Sequence, residues 1–358
     1  HHRKQLQEEG HGNWSYGRRG RWDRFFLCAM TVSARKCVRN TDGKTKMEEP
    51  QMAKWVEIRK GADFRAIGEK YGISPFTARL IRNKDIVGDQ EIEEYLHGTL
   101  EDLHPASLMK GIPEAVDLLE QKIGENAYIR IIGDYDIDGV CSTYILLRGL
   151  TRAGAEVDTD IPDRKKDGYG LNEDLVKRAY DAGVDTIVTC DNGIAAVKEI
   201  AYAKSLGMTV IITDHHELQE EIPPADVVVN PHQKDCPYPY KNLCGAGVAW
   251  KLVSALWEQL RVPEQELYED LLLFAGFATV GDVMDLTGEN RILVKEALKL
   301  LKTTSHPGIS ALIEVNEISR ETISAFHIGF VLGPCINASG RLDTAKRALE
   351  LLKTTDYE

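Results

Sequence analysis

Several signals are missing from this chain. The seven cysteines include no CxxC pair and are odd in number, so neither a disulfide framework nor a zinc knuckle is expected. A reducing, cytoplasmic setting is the one their scatter fits. No apolar run approaches the roughly 20 residues that a membrane span needs. The only candidate for a secretory signal, FFLCAM, is too short and lies in a basic, Trp-rich segment. Excess positive charge is lacking as well. The formal net charge is −12, which argues against broad, sequence-independent attraction to nucleic acid.

The charge is unevenly spread. Residues 1–46 carry eleven Lys/Arg against four Asp/Glu, which leaves the remainder near −19. That opening segment has neither a helical nor a strand period, and it reads as a basic extension, disordered or non-native. A basic nucleic-acid arm is the alternative. Ordered patterning begins near Met47 or Met52. With 43% hydrophobic and 28% charged residues over 358 positions, the chain has material for more than one globular domain.

Residues 47–104 read as a small helical lead-in. Within it, DFRAIGEKYGISPFTARLIRNK (63–84) predicts two short helices joined by a Gly turn. A helix-turn-helix that reads a DNA groove would look similar, but isolated patterns of this kind arise readily by chance. Leu108, Ile112, Val116, Leu119 and Ile123 then recur at helical spacing. Strands follow at Tyr128–Ile132, Glu156–Ile161, Thr186–Thr189, Thr209–Thr213 and Asp226–Val229, separated by segments of helical pattern. This alternation predicts an α/β domain over residues 105–340, a parallel sheet flanked by helices. Beyond Gly245 a mainly helical segment is expected, apart from a short strand near Ala325–Leu332.

The ends of these strands share one property. DYDID follows the first, CDN follows Val188, DHHE follows Ile212 and NPH follows Val229. Sites in open α/β sheets form beyond the carboxyl ends of the strands, so four distant segments bring Asp and His to one edge. In IRIIGDYDIDGV, Asp134, Asp136 and Asp138 occupy alternate residues, and on an extended chain they would crowd one side. Such crowding needs a cation or a row of donors. An EF-hand is excluded, because its twelfth position would be Ile145 and a strand stands where its first helix belongs.

Mixed carboxylate and imidazole groups suit Mn²⁺ or Mg²⁺. Several carboxylates together suggest two ions, able to clamp a phosphate and lower the pKa of a bound water. Asp191, Asp214, His215 and His216 belong to this rim, and Asp282 or Asp285 in VGDVMDLTGENR would complete a second ion's shell. The adjacent His215 and His216 should diverge, one serving as ligand while the other faces a phosphate or is oriented by Asp214. His232 and Asp235 are weaker candidates for substrate contact. Asn337, Ser339 and Arg341 lie in GPCINASGRLD, a Gly-punctuated stretch expected to be a loop, where Arg341 offers a planar fork for phosphate. Cys190, Cys236 and Cys244 are expected to fill small spaces.

Taken together, GDYDIDG, CDNG, DHHE, NPHQKDCPYPYKNLCGAGVAWKL, VGDVMDLTGENR and GPCINASGRLD resemble the RecJ family of single-strand-specific DNA exonucleases, within the DHH phosphoesterase superfamily. The resemblance runs from about Met52 to the end. It implies a hydrolase that uses two divalent cations, Mn²⁺ or Mg²⁺, to remove nucleotides from the 5′ end of single-stranded DNA in repair and recombination. A single-strand-binding protein and a helicase are the partners it suggests. It further implies Asp136 and Asp138 as metal ligands with Asp134 close by, and Asp191 as the bridge between the ions. His215 would be a ligand, Asp282 would complete the set, His216 would sit at the scissile phosphate, and Arg341 would contact the nucleotide backbone. The metal-binding His that some relatives carry before the middle aspartate is here Ile132. Family members continue past a linking helix, expected at Asp343–Leu352, into further domains, so residues 341–358 are read as its start. The rival readings are a DHH enzyme for short oligonucleotides or cyclic dinucleotides, and a non-catalytic DNA-binding scaffold.

Overall fold

The computed structural model describes residues 60–163, 170–342 and 345–356, except for the side chains of 339–342, together with a two-residue antiparallel pairing of β1 (Val38–Arg39) and β2 (Thr45–Lys46). The rest of the 1–46 segment, the starts at Met47 and Met52, and the side chains of Ser339 and Arg341 lie outside the described residues. The chain divides into two compact units at Asp85–Ile86.

In the first unit the two predicted helices are α1 (Phe64–Tyr71) and α2 (Pro75–Asn83). Asp63 caps α1 by accepting the Ala66 amide, and Gly72, at φ 64°, ends it in the left-handed conformation that glycine tolerates. Ser74 caps α2, whose first residue is Pro75.

The second unit opens with α3 (Asp89–His97) and α4 (Ile112–Gly124). Leu108, expected in α4, instead lies in a short 3₁₀ turn before it and is partly exposed. The alternating region follows as β3 (Tyr128–Ile132), α5 (Ile137–Arg152), β4 (Glu156–Asp160), α6 (Glu173–Asp181), β5 (Thr186–Cys190), α7 (Val197–Ser205), β6 (Thr209–Thr213) and β7 (Val227–Val229). All five strands β3–β7 are parallel, in the order β4-β3-β5-β6-β7. Strand order therefore reverses between β3 and β5, where the loops that leave those strands open a crevice.

Register brings the ends level. Ile132 stands beside Thr189, Thr189 beside Ile212, and Ile212 beside Val228. Alternation along the strands sorts the apolar residues between two cores. Ile129, Ile131, Val188 and Ile211 pack with α4, α5 and the later helices, whereas Ile132, Ile187, Val210 and Ile212 pack against α6 and α7.

The remainder is helical: α8 (Gly245–Leu260), a π turn (Leu267–Leu271) leading into α9 (Leu272–Gly281), α10 (Gly288–Thr303), α11 (Pro307–Val315), α12 (Ala325–His327) with a π turn over Ile328–Leu332, α13 (Gly333–Leu342) and α14 (Lys346–Lys353). Two expectations are corrected here. Ala325–Leu332 is not a strand: Ile328 and Leu332, four residues apart, are buried while Phe326 and Phe330 face out, which is a helical period. GPCINASGRLD is not a loop but mostly α13. Packing overrides its glycine content, because a Cβ on Gly333 would meet the Ile137 side chain at 3.2 Å. Among the described residues no helix is long and apolar enough to cross a membrane.

A buried ionic hub ties this region together. Lys251 of α8 contacts Glu289 of the TGENR segment at 2.8 Å, and both are almost fully buried. The Tyr238 hydroxyl and the His104 amide also donate to Glu289, so its carboxylate is fully engaged. The neighbouring Arg291 stacks on the Tyr95 ring at 3.8 Å. Cys190, Cys236 and Cys244 are buried free thiols.

Candidate metal centre

The three alternate aspartates do not project from one extended strand. β3 ends at Ile132, and Asp136 is already the N-cap of α5, accepting the amides of Asp138 and Gly139 at 2.9 and 3.0 Å. Asp138 sits in the first helical turn and groups with other partners. The chain turn thus divides the carboxylates between two clusters, which corrects the expectation of one crowded side.

The first cluster joins Asp134 and Asp136 to Asp191 from the end of β5; the second joins Asp138 to His215 and Asp282. A third joins Asp191, His215 and His216. In each, one ligand-type atom per residue lies within 4.8 Å of the others. Asp191 and His215 are the shared members. His215 Nε2 lies 3.1 Å from Asp191 Oδ1, 3.5 Å from Asp138 Oδ2 and 3.9 Å from Asp282 Oδ2.

Asp138 is held by an element to which the sequence reading gave no role in the site. Its two oxygens accept the Gly245 and Ala246 amides, at 2.6 and 2.8 Å, from the N-terminus of α8. Unpaired amides and the helix dipole there favour an anion. Helix α8 comes this close only because residue 245 is glycine: a Cβ there would lie 2.7 Å from Asp191 Cβ. The small residues of CGAG at a helix start were the available signal.

Asp191 has φ 58°, a left-handed conformation that aspartate tolerates. Val283, directly after Asp282, has φ 59° and is 87% exposed. A β-branched residue there is strained by about 1–3 kcal/mol, and such outliers gather at functional sites.

Burial shapes the titration of the cluster. Loss of solvent, then the neighbouring Asp136, pushes Asp134 up to about 7. Asp282 is likewise pushed up to about 7, by burial first and then by Asp138 and Asp136. Asp191 is raised well above the carboxylate range by burial and the surrounding aspartates. Burial also raises Asp138, against the pull of His215 and the two α8 amides. The amides of Tyr135 and Gly170 face Asp134 without reaching hydrogen-bond geometry, so both of its oxygens are buried and unpaired, as is Oδ1 of Asp191.

Asp214 behaves oppositely. Burial works against its ionised form most strongly, yet hydrogen bonds from the His216 ring and the amides of Ile194 and His216 together hold it below the usual range. In turn the Asp214 hydrogen bond, 2.8 Å to Nδ1, raises His216, whereas burial lowers His215. The two rings do not diverge as expected; their centroids are 4.5 Å apart. They differ in access instead, His215 being 10% exposed at its side chain and His216 45%.

The other candidates fall outside the three clusters. Asn337 accepts the Ile137 amide at 2.8 Å and so fastens α13 to the start of α5. His232 donates its amide to Asn230, and its ring lies 3.6 Å from Glu217. Asn230 and Asn192 were not anticipated. Asn230 donates to the His216 carbonyl, and Asn192 donates to the carbonyls of Ile132 and Cys190, joining the ends of β3 and β5.

Known proteins are similar to this chain in sequence and in fold. Residues 128–276 match the model of the DHH family, N-terminal domain. The single-stranded-DNA-specific exonuclease RecJ of Bacillus subtilis is 39% identical over 82% of this chain and 36% of its own length. RecJ of Escherichia coli is 35% identical over 78% of this chain and 50% of its own. This chain thus spans between about a third and a half of the length of these relatives. Among solved structures, exonuclease RecJ bound to manganese superposes with a TM-score of 0.63 at 37% identity, covering 70% of this chain and 62% of that one. RecJ from Thermus thermophilus in complex with Mn²⁺ gives 0.68 at 32% identity, covering 82% and 41%. In sequence and in fold the chain belongs to the DHH family, with RecJ proteins among its relatives.

Proposed function

We propose that this chain carries the catalytic centre of a metal-dependent exonuclease that hydrolyses single-stranded DNA from the 5′ end, in repair and recombination. The observation that carries this reading is the overlap of three ligand clusters through Asp191 and His215. The donor set fits a pair of Mn²⁺ or Mg²⁺ ions: hard carboxylate oxygens dominate, with imidazole nitrogen added. The buried, unpaired oxygens of Asp134 and Asp191 fit as well, since such atoms are costly without a partner. Asp134, Asp136, Asp138, Asp191, His215 and Asp282 would hold the ions, with Asp191 between them. Bound there, such ions supply an activated water and charge neutralisation at a phosphate.

The protein's own contribution is placement. The α8 N-terminus and the Asp136 cap fix Asp138 and the α5 start, which limits the freedom of the whole acidic rim. Asp214 accepts the Nδ1–H of His216 and favours the protonated ring, in which Nε2–H would donate to a phosphate oxygen. The names of the RecJ relatives support the choice of single strands, and the 5′ end is what the resemblance of the motifs implies. Single-stranded DNA labelled at either end, incubated with Mn²⁺, tests this: the 5′ nucleotides should be released first, and chelation should stop the reaction. Preference for dinucleotides over long strands would overturn the substrate assignment, and DNA binding without any hydrolysis would favour a scaffold.

A further inference from the structure

Phe326 and Phe330 are 60% and 74% exposed, and their rings stack with centroids 5.1 Å apart at 26°. They project from the outer face of the turn whose inner residues, Ile328 and Leu332, are buried. We propose that this pair is a stacking platform for a nucleobase of the single strand, next to the metal centre; this rests on the nuclease reading above.

Three observations support a base as the occupant. First, the platform is continuous with the site. It leads directly into α13, whose Gly333 packs on Ile137 and whose Asn337 caps Ile137 between Asp136 and Asp138. Phe330 precedes Asn337 by roughly 10 Å of helix axis, and a Cβ on Gly329 would meet Val280, two residues before Asp282, at 3.7 Å. A strand with a phosphate at the metal centre therefore has a neighbouring base within reach. Second, the exposed surface is aromatic, and the near-parallel rings offer π-faces to any base regardless of sequence. Third, residues 322–342 contain no Asp or Glu in a chain of net charge −12, so this stretch adds no negative charge of its own to repel a polyanion.

The test compares the affinity of 5′-phosphorylated dT12 with that of an abasic strand of equal length, both with phosphorothioate linkages, in Mn²⁺. Phe326→Ala and Phe330→Ala should each weaken dT12 binding about tenfold and leave abasic binding unchanged. Phe330→Trp should retain affinity; Phe330→Leu should lose as much as Ala. Circular dichroism and melting should show that these exposed substitutions leave the fold intact. Alanine variants that bind dT12 within about twofold of wild type overturn the platform but not the nuclease. Full retention by Phe330→Leu overturns it in favour of apolar packing against protein. A wild-type chain that neither binds nor cleaves ordinary dT12 overturns the nuclease reading and the platform together.

Discussion

Gly245→Ala isolates the feature of the site that depends most on close packing. The added Cβ would lie 2.7 Å from Asp191 Cβ, 3.0 Å from Asp191 Oδ1 and 3.1 Å from Asp138 Oδ2. Carbon atoms in contact prefer about 3.5–4.0 Å, so α8 or the end of β5 must move by about 1 Å. Overpacking of this kind costs about 1–3 kcal/mol. The same displacement stretches both α8 amide bonds to Asp138 and shifts Asp191, and a 1 Å misplacement in a catalytic constellation costs about 100-fold in rate. Gly247→Ala is the control. Its Cβ meets only the Leu243 side chain, at 3.3 Å, and alanine gains about 1 kcal/mol over glycine inside a helix. Thermal unfolding and Mn²⁺-dependent cleavage of single-stranded DNA should therefore separate the two: Gly245→Ala less stable and about 100-fold slower, Gly247→Ala unchanged or slightly more stable. Equal cleavage rates and Mn²⁺ affinities in the two variants would refute the argument that helix proximity builds the site.

Further outcomes follow from other parts of the structure. Asp191→Asn removes a carboxyl whose ionisation burial and the neighbouring aspartates oppose, so without metal it should melt higher than wild type, while the stabilisation by Mn²⁺ and the cleavage are lost; calorimetry with and without Mn²⁺ reads both. Glu289→Ala leaves Lys251 buried without its ionic partner and should cost about 3–5 kcal/mol in urea unfolding. Asn337→Ala removes a cap from the Ile137 amide and should cost about 1 kcal/mol by the same assay. Burial acts most strongly on Asp158, yet Arg130 and Tyr128 together hold its carboxyl below the ordinary value of 3.8. That stability is present above pH ~4 and lost as pH falls through the lowered folded value. Asp158→Asn should flatten the fall of Tm on acidification over that window, and a variant whose acid profile matches wild type would rule out this linkage.

The rim of the site was legible because its signals are local. Apolar runs broken by DYDID, CDN, DHHE and NPH mark strand ends, and parallel strands must deliver their carboxyl ends to one edge. Ala325–Leu332 misled because alternating and four-residue spacings look alike over a short apolar run, and burial of Ile328 with Leu332 decided between them. GPCINASGRLD misled because glycine is normally a helix breaker, whereas here Gly333 is needed where the backbone meets Ile137.

The amino-acid order alone determined the strand–helix rhythm, the level of each acidic residue on the sheet, and the family likeness, since these follow from periodicity and residue type. Only the tertiary structure decided that Asp138 parts from Asp134 and Asp136, that α8 supplies its hydrogen bonds, and that Asp282 arrives beside His215. The contacts made by α8 and by Asp282 join residues far apart in the chain. Their geometry is set by how closely one helix can approach a sheet, a quantity that no local pattern encodes.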